Sequence, residues 1–242
     1  MSALLTVSGL SKSFGAVVVA DATSFDVEQG AAVGILGPNG AGKTSLFNLI
    51  TGALRPDAGR IDFAGNDITG TSAAKRCKMG IARSFQVPQP FGGMTVFENA
   101  LVGATQGAGL GAAEAEAHAL AILDETGLRA KANVRAGSLT LLERKRLELA
   151  RALSAKPQLL LLDEIAGGLT EAECVSLIDT IQKIHARGTT IIWIEHVVHA
   201  LLAVVEKLIV IDFGKKIAEG EPKAIMDSAE VKEIYLGVDP DG

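Results

Sequence analysis

The sequence predicts an α/β fold around a parallel sheet, and three observations carry the prediction. Short apolar runs at Ala32 to Leu36, Leu159 to Leu162 and Thr190 to Ile194 are bounded by turn residues, the pattern of strands covered on both faces. After the first run, a glycine-rich turn leads into Leu46, Phe47, Ile50 and Leu54, which recur at helical spacing. From Val87 to about Pro157 no β-rich run occurs and helix formers dominate, including Ala112 to Leu123, which marks an inserted α-helical subdomain.

The remaining elements follow in order. Leu5 to Val7 and Ser24 to Val27 read as edge strands, and Gly59 to Gly65 as a strand between turns, so an antiparallel β flap is expected beside the parallel core. Residues 1–242 are expected to form one domain, with core and flap from 1–86 and 157–242 and the helical subdomain at 87–156. The Gly/Ala-rich stretch from Ala104 to Ala113 reads as a loop, and Lys207 to Gly220 as a hairpin. Its turn, Asp212-Phe213-Gly214, mimics the metal-binding triplet of protein kinases, but no HRD loop or GxGxxGxV accompanies it, which argues against a kinase.

Composition narrows the function classes. A chain of 242 residues that is 48% hydrophobic buries a substantial core, and a formal charge of -5 argues against broad adhesion to phosphate backbones or anionic lipid. The N-terminus lacks a basic region followed by a long apolar stretch, and no apolar run approaches the ~18 residues of a membrane span. Membrane contact is therefore expected to come through a partner. Cys77 and Cys174 stand alone, without a CxxC or a nearby histidine pair, so neither a disulfide framework nor a zinc site is expected and a reducing cytoplasm is the simpler home.

Gly37-Pro38-Asn39-Gly40-Ala41-Gly42-Lys43-Thr44 fits GxxxxGK[ST] and lies between a strand and a helix start, where this P-loop must lie. Glycines let successive backbone N–H groups curl around phosphate oxygens, and the helix N-terminus adds the positive end of its dipole. The expected phosphate-binding set is Gly37, Asn39, Gly40, Ala41, Gly42, Lys43, Thr44 and Ser45, with Lys43 on the β and γ phosphates and Thr44 on Mg²⁺. Leu159 to Leu162 then delivers Asp163 and Glu164 to a strand end, where sites form in open α/β sheets. Asp163 would hold Mg²⁺, and Glu164 would be the general base for an attacking water, which favours hydrolysis over phosphoryl transfer to a metabolite. His196 closes the next strand and is a candidate γ-phosphate contact, although a lone histidine there is more often structural.

In this order the motifs resemble the nucleotide-binding subunit of ATP-binding cassette (ABC) transporters, over nearly the whole chain. The resemblance implies ATP and Mg²⁺ as cofactors and a P-loop core of the ABC ATPase type. It implies an adenine-stacking aromatic at Phe14 with Val19 as a second contact, and a Mg²⁺-sensing glutamine at Gln86, which completes the metal set Thr44, Gln86 and Asp163. It also implies that His196 is a catalytic switch histidine beside Glu164. Implied partners are transmembrane permease subunits, a second ATPase subunit, identical or different, and indirectly a solute-binding protein, with no nucleic acid. The implied location is peripheral, on the cytoplasmic face of the inner membrane.

Finer resemblance is to the branched-chain amino acid importer ATPases. It rests on Lys43 to Gly52, on Gly80 to Gln86 leading to Met94 to Asn99, and on the ending Ala218-Glu219-Gly220 to Tyr235-Leu236-Gly237. Urea or amide import is the nearest alternative, and a non-transport ABC ATPase acting on nucleic acid or ribosomes is the alternative of a different class. The resemblance places a permease dock at Val87 to Asn99.

One segment departs from the pattern. The basic cluster at Ser138 to Arg146 occupies the position of the LSGGQ signature, which contacts the ATP of the opposite subunit, and reads Leu139-Thr140-Leu141-Leu142-Glu143. Thr140 and Glu143 still satisfy a capping box, but the Gly-Gly pair that permits close approach to phosphate is lost. A Glu143 carboxylate facing that phosphate at ~4 to 8 Å would cost roughly 2 to 4 kcal/mol at an effective dielectric near 20, before Mg²⁺ or a nearby arginine offsets it. In the D-loop, Gly168-Leu169-Thr170, threonine stands where aspartate is common, and Ile165 stands where proline is common. Either these changes are tolerated drift or they make one composite ATP site weaker than the other.

Overall fold

The computed structural model describes residues 3–236, so Gly237 of the closing Tyr235-Leu236-Gly237 lies outside the described residues. The chain opens with β1 (Ala3–Phe14), β2 (Val17–Glu28), β3 (Ala32–Leu36), α1 (Lys43–Thr51), β4 (Ala58–Phe63) and β5 (Asn66–Asp67). Then come α2 (Ala73–Lys78), β6 (Ile81–Ser84), α3 (Val96–Val102), a π-helical turn (Gly103–Gly107), α4 (Ala112–Glu125) and α5 (Leu141–Ser154). The last part holds β7 (Leu159–Asp163), α6 (Glu171–Ala186), β8 (Thr190–Ile194), α7 (Val198–Leu202), β9 (Lys207–Asp212), β10 (Lys215–Gly220), α8 (Pro222–Asp227) and α9 (Ala229–Leu236).

Two sheets result. The larger has the order β10-β9-β3-β8-β7-β6, parallel except for β10, and the smaller has the antiparallel order β2-β1-β4-β5. The flap is thus present, but β1 is not an edge strand: it pairs with β2 on one side and β4 on the other. Its second partner comes from beyond the P-loop, a non-local pairing that alternation within Leu5 to Val7 does not encode.

Alternation along the buried strands divides the core into two layers. Val33, Ile35, Leu159, Leu161, Ile192 and Ile194 face the flap and α1, whereas Leu36, Leu160, Leu162, Ile191 and Trp193 face the other way. That second face shares one apolar cluster with Ala100, Leu123, Leu147 and Leu153 of α3, α4 and α5. The helical segment is therefore packed directly onto the sheet.

The expected loop at Ala104 to Ala113 begins instead as the π-helical turn, and the reason is close packing. A Cβ on Gly103 would lie 2.4 Å from the Arg151 carbonyl oxygen, and Ala104 is fully buried, so small residues here let this turn press against α5. Gly103→Ala should overpack the contact by about 1–3 kcal/mol and lower the melting temperature by roughly 3–10 °C, read by differential scanning calorimetry.

Candidate functional site

Parallel pairing brings the C-terminal ends of β3, β6, β7 and β8 to one edge of the sheet, with Ser84 opposite Leu162 and Asp163 opposite Ile194. The residues that follow those ends, from Gly37, Phe85, Glu164 and Glu195 onward, are delivered to one place. The P-loop after β3 is held tightly: a Cβ on Gly37 would lie 2.1 Å from the Ile211 carbonyl oxygen. Gly42 has φ 99°, and a Cβ there would lie 2.2 Å from the Val19 carbonyl oxygen. The Gly214 N–H donates to the Ala41 carbonyl at 2.9 Å, so the Asp212-Phe213-Gly214 turn braces the loop.

Lys43 opens α1 and is buried, its ammonium donating to the carbonyls of Gly37 at 2.6 Å and Pro38 at 2.9 Å. Burial lowers its pKa, while the charges of Glu164 and Asp163 act in the opposite sense. A cavity of about 460 Å³ lies over the loop, walled by Asn39, Gly40, Ala41, Gly42, Lys43, Thr44 and Ser45 together with Val17, Val19, Gln86, Glu164 and His196. The cavity thus gathers most of the expected phosphate-binding set and both expected catalytic side chains.

The two adjacent carboxylates diverge. Asp163 is 1% exposed, and burial pushes its pKa up against the pull of Arg83, whose guanidinium donates to Oδ2 at 2.5 Å. Arg83 also donates to Asn48 Oδ1 at 2.6 Å and lies over the rings of Phe47 and Phe85. Asp163 Oδ1 is buried without a hydrogen-bond partner among the described residues. Glu164 points into the cavity instead, with Oε1 2.6 Å from His196 Nε2 and Oε2 accepting from the Gln86 amide.

Mg²⁺ in nucleotide sites takes one or two carboxylates plus substrate phosphates. An unpartnered Asp163 oxygen and a Thr44 hydroxyl at the start of α1 fit that donor set, so these residues suit the ion. Gln86 sits on the same wall, and its amide N–H donates to Glu164, a bond that does not use Oε1, the atom that would face a cation.

Other expected residues lie elsewhere. Phe14 is 52% exposed, pairs across the β1–β2 turn with Val17 and has the Lys12 ammonium 5.4 Å from its ring, but it does not line the cavity. Val17, which no motif marked, does. Leu139, Thr140, Leu141, Leu142 and Glu143 also lie away from this cavity, at the start of α5.

Thr140 and Glu143 form the capping box, and the Glu143 carboxylate accepts the Thr140 N–H and pairs with Lys131. The Lys131 hydrogen bond, then the Thr140 N–H, hold its pKa below the usual carboxylate range, so it stays a carboxylate engaged by the preceding turn and the start of α5. Arg144 donates to the carbonyls of Leu139 and Gly137, and Arg146 to Ser176, so the basic cluster is spent inside the fold. In the segment after β7, Leu169 is half-buried, Thr170 caps α6 in a box with Glu173, and Gly168 abuts the Leu141 side chain. Ile165 is buried in the core, where an apolar side chain suffices.

The ABC transporter family model matches residues 20–167. The chain belongs to that family. It is 35% identical to the high-affinity branched-chain amino acid transport ATP-binding protein BraF of Pseudomonas aeruginosa, over 97% of this chain and 98% of that protein. It is also 35% identical to the lipopolysaccharide export system ATP-binding protein LptB of Acidithiobacillus ferridurans, over 98% of each. LivG of Escherichia coli, named for the same transport as BraF, is 33% identical over 97% of this chain and 98% of that protein. A nucleotide-free ATP-binding cassette from an ABC transporter superposes with a TM-score of 0.88 at 31% identity, covering 98% of this chain and 100% of that one. The ADP conformation of MJ1267, an ATP-binding cassette of an ABC transporter, gives 0.88 at 32% identity, with the same coverage. The mixed α/β architecture is that of ABC ATPases, and this ABC chain binds nucleotide and hydrolyses ATP.

Arg83 was invisible as a functional residue because nothing in its local pattern distinguishes it from a surface arginine. Arg83→Met strands the Asp163 carboxylate in a buried setting, and turnover is expected to fall by at least about tenfold with ATP affinity changed much less, read from kcat and from titration with a fluorescent nucleotide.

Proposed function

We propose that the chain is the ATP-hydrolysing subunit of an importer for branched-chain amino acids, and that the cavity over the P-loop is its ATP site. The observation that carries the hydrolytic role is the Glu164 carboxylate held between His196 and Gln86 on the cavity wall. In this reading Glu164 takes a proton from a water whose oxygen attacks the γ-phosphorus, the bond to the bridging oxygen breaks, and ADP leaves with that electron pair. His196 orients Glu164, Lys43 and the loop N–H groups hold the phosphates, and Val17 and Val19 flank the base side with Phe14 at the rim. Thr44, Asp163 and Gln86 would hold Mg²⁺, which would spread the phosphate charge.

The support for the substrate is the likeness to BraF and LivG across nearly the whole chain. The equal likeness to LptB favours a second reading, service to a lipopolysaccharide exporter. Urea or amide import stays as the third. In the importer reading the chain sits peripherally on the cytoplasmic membrane face and pairs with a second ATPase subunit. No described helix is long and apolar enough to cross a membrane. Residues 87–156 act as the subdomain that faces the permease. The dock is Val87 to Asn99, which exposes Val87 and Phe91 and follows Phe85, a wall residue of a groove of about 580 Å³ between α2, β6, the π-helical turn and α5. The solute-binding protein acts on the far side of the permease. Co-purification with a permease and uptake of leucine, isoleucine, valine and urea distinguishes the readings, and uptake of none of the three amino acids refutes the first.

Glu164→Gln is expected to keep nucleotide affinity within about threefold and to lower turnover at least about 100-fold; near-normal turnover refutes Glu164 as the base.

The α5 start meets the partner's ATP in this arrangement. With the Glu143 carboxylate paired to Lys131, the larger obstacle there is the bulk of Leu141, 45% exposed and resting on Gly168. Leu141→Gly with Leu142→Gly should raise ATP turnover of the assembled transporter about threefold or more, while Glu143→Gln alone should not; an unchanged rate in both ends the idea of a weakened site.

A further inference from the structure

Glu195 lies between β8 and His196, is 1% exposed and belongs to no motif. Its two oxygens serve two different segments. Oε2 accepts the Ala166 N–H at 2.9 Å, two residues beyond Glu164, and Oε1 accepts the His196 N–H at 3.0 Å. A third element joins from α5: Lys145, 3% exposed, donates from Nζ to the Glu164 carbonyl at 3.3 Å. The Glu195 charge favours the protonated form of Lys145 against its burial.

This arrangement surrounds a strained residue. Glu164 has φ 47°, a left-handed conformation that costs a non-glycine residue about 1–2 kcal/mol and persists only when its surroundings impose it. Its N–H donates to Ile194 O at 2.8 Å, which ties it to β8, and Lys145 holds its carbonyl. The backbone that follows is then clamped by Glu195 to the backbone of His196. A buried carboxylate with both oxygens engaged by N–H donors is a stiff link, because releasing either donor leaves it unpaired and dry.

We propose that Glu195 is a positioning residue for ATP hydrolysis: it clamps the segment carrying Glu164 to the segment carrying His196, and Lys145 completes the clamp from α5. The Glu164 to His196 contact at 2.6 Å then depends on backbone fixed by Glu195 rather than on the two side chains alone. This rests on the reading of Glu164 as base and His196 as its orienting partner. Glu195 itself does not line the cavity, so nucleotide binding is expected not to depend on it.

Glu195→Gln keeps the shape but turns one acceptor into an N–H donor facing another N–H. In the assembled transporter, kcat for ATP is expected to fall about tenfold or more while KM and fluorescent-nucleotide Kd stay within about threefold. Lys145→Met is expected to give the same split and serves if Glu195→Gln does not fold. The decisive readout is non-additivity: in a His196→Ala background, Glu195→Gln should lower kcat by less than about twofold more, since the contact it positions is gone. Equal losses with and without His196, or a loss confined to KM or to melting temperature, overturn the clamp. Glu164→Gln is run beside them. If it retains turnover, the reading of the base fails; if it is inactive while Glu195→Gln is normal, only the clamp fails.

Discussion

The site depends on one backbone turn. β7 runs as a fully buried strand to Asp163, and at Glu164 the chain swings into the left-handed region with φ 47°. Two carboxylates that are neighbours in sequence thereby face different surroundings. Asp163 stays under the sheet edge with Arg83, and Glu164 enters the cavity with His196 and Gln86. Had the strand continued, successive side chains would have pointed to opposite faces of the sheet and only one could have reached the nucleotide side. The strain is offset by pairing with β8, since the Glu164 N–H finds the Ile194 carbonyl.

Much of this was legible in sequence because it is local. Ala32 to Leu36, Leu159 to Leu162 and Thr190 to Ile194 became β3, β7 and β8, as unbroken apolar runs in a two-sided sheet should. The P-loop was legible because its glycines answer a backbone requirement that few sequences meet by chance, and the structure supplies the close approaches at Gly37 and Gly42. The Thr140 and Glu143 capping box was legible for the same reason, as spacing within one turn.

What escaped was non-local. β1 takes its second partner from across the P-loop, and the π-helical turn at Gly103–Gly107 answers the approach of α5 rather than its own composition. Arg83, Lys145 and Glu195 read as ordinary charged residues, because burial of a charge is decided by what folds over it. The pairing of Glu143 with Lys131 escaped for the same reason, because Lys131 lies in the preceding turn and announces nothing by spacing. Val17 escaped as well: it lines the cavity beside Val19 because the β1–β2 turn folds it there, and no motif marks it.

We propose that the turn at Glu164 divides labour between Asp163, which would hold the metal, and Glu164, which would activate the water. Binding of Mn²⁺, as a spectroscopic substitute for Mg²⁺, in the presence of a non-hydrolysable ATP analogue tests that division directly. Asp163→Asn is expected to weaken Mn²⁺ binding by at least about tenfold, whereas Glu164→Gln leaves it within about twofold. Comparable losses in both variants, or a loss confined to Glu164→Gln, would contradict it.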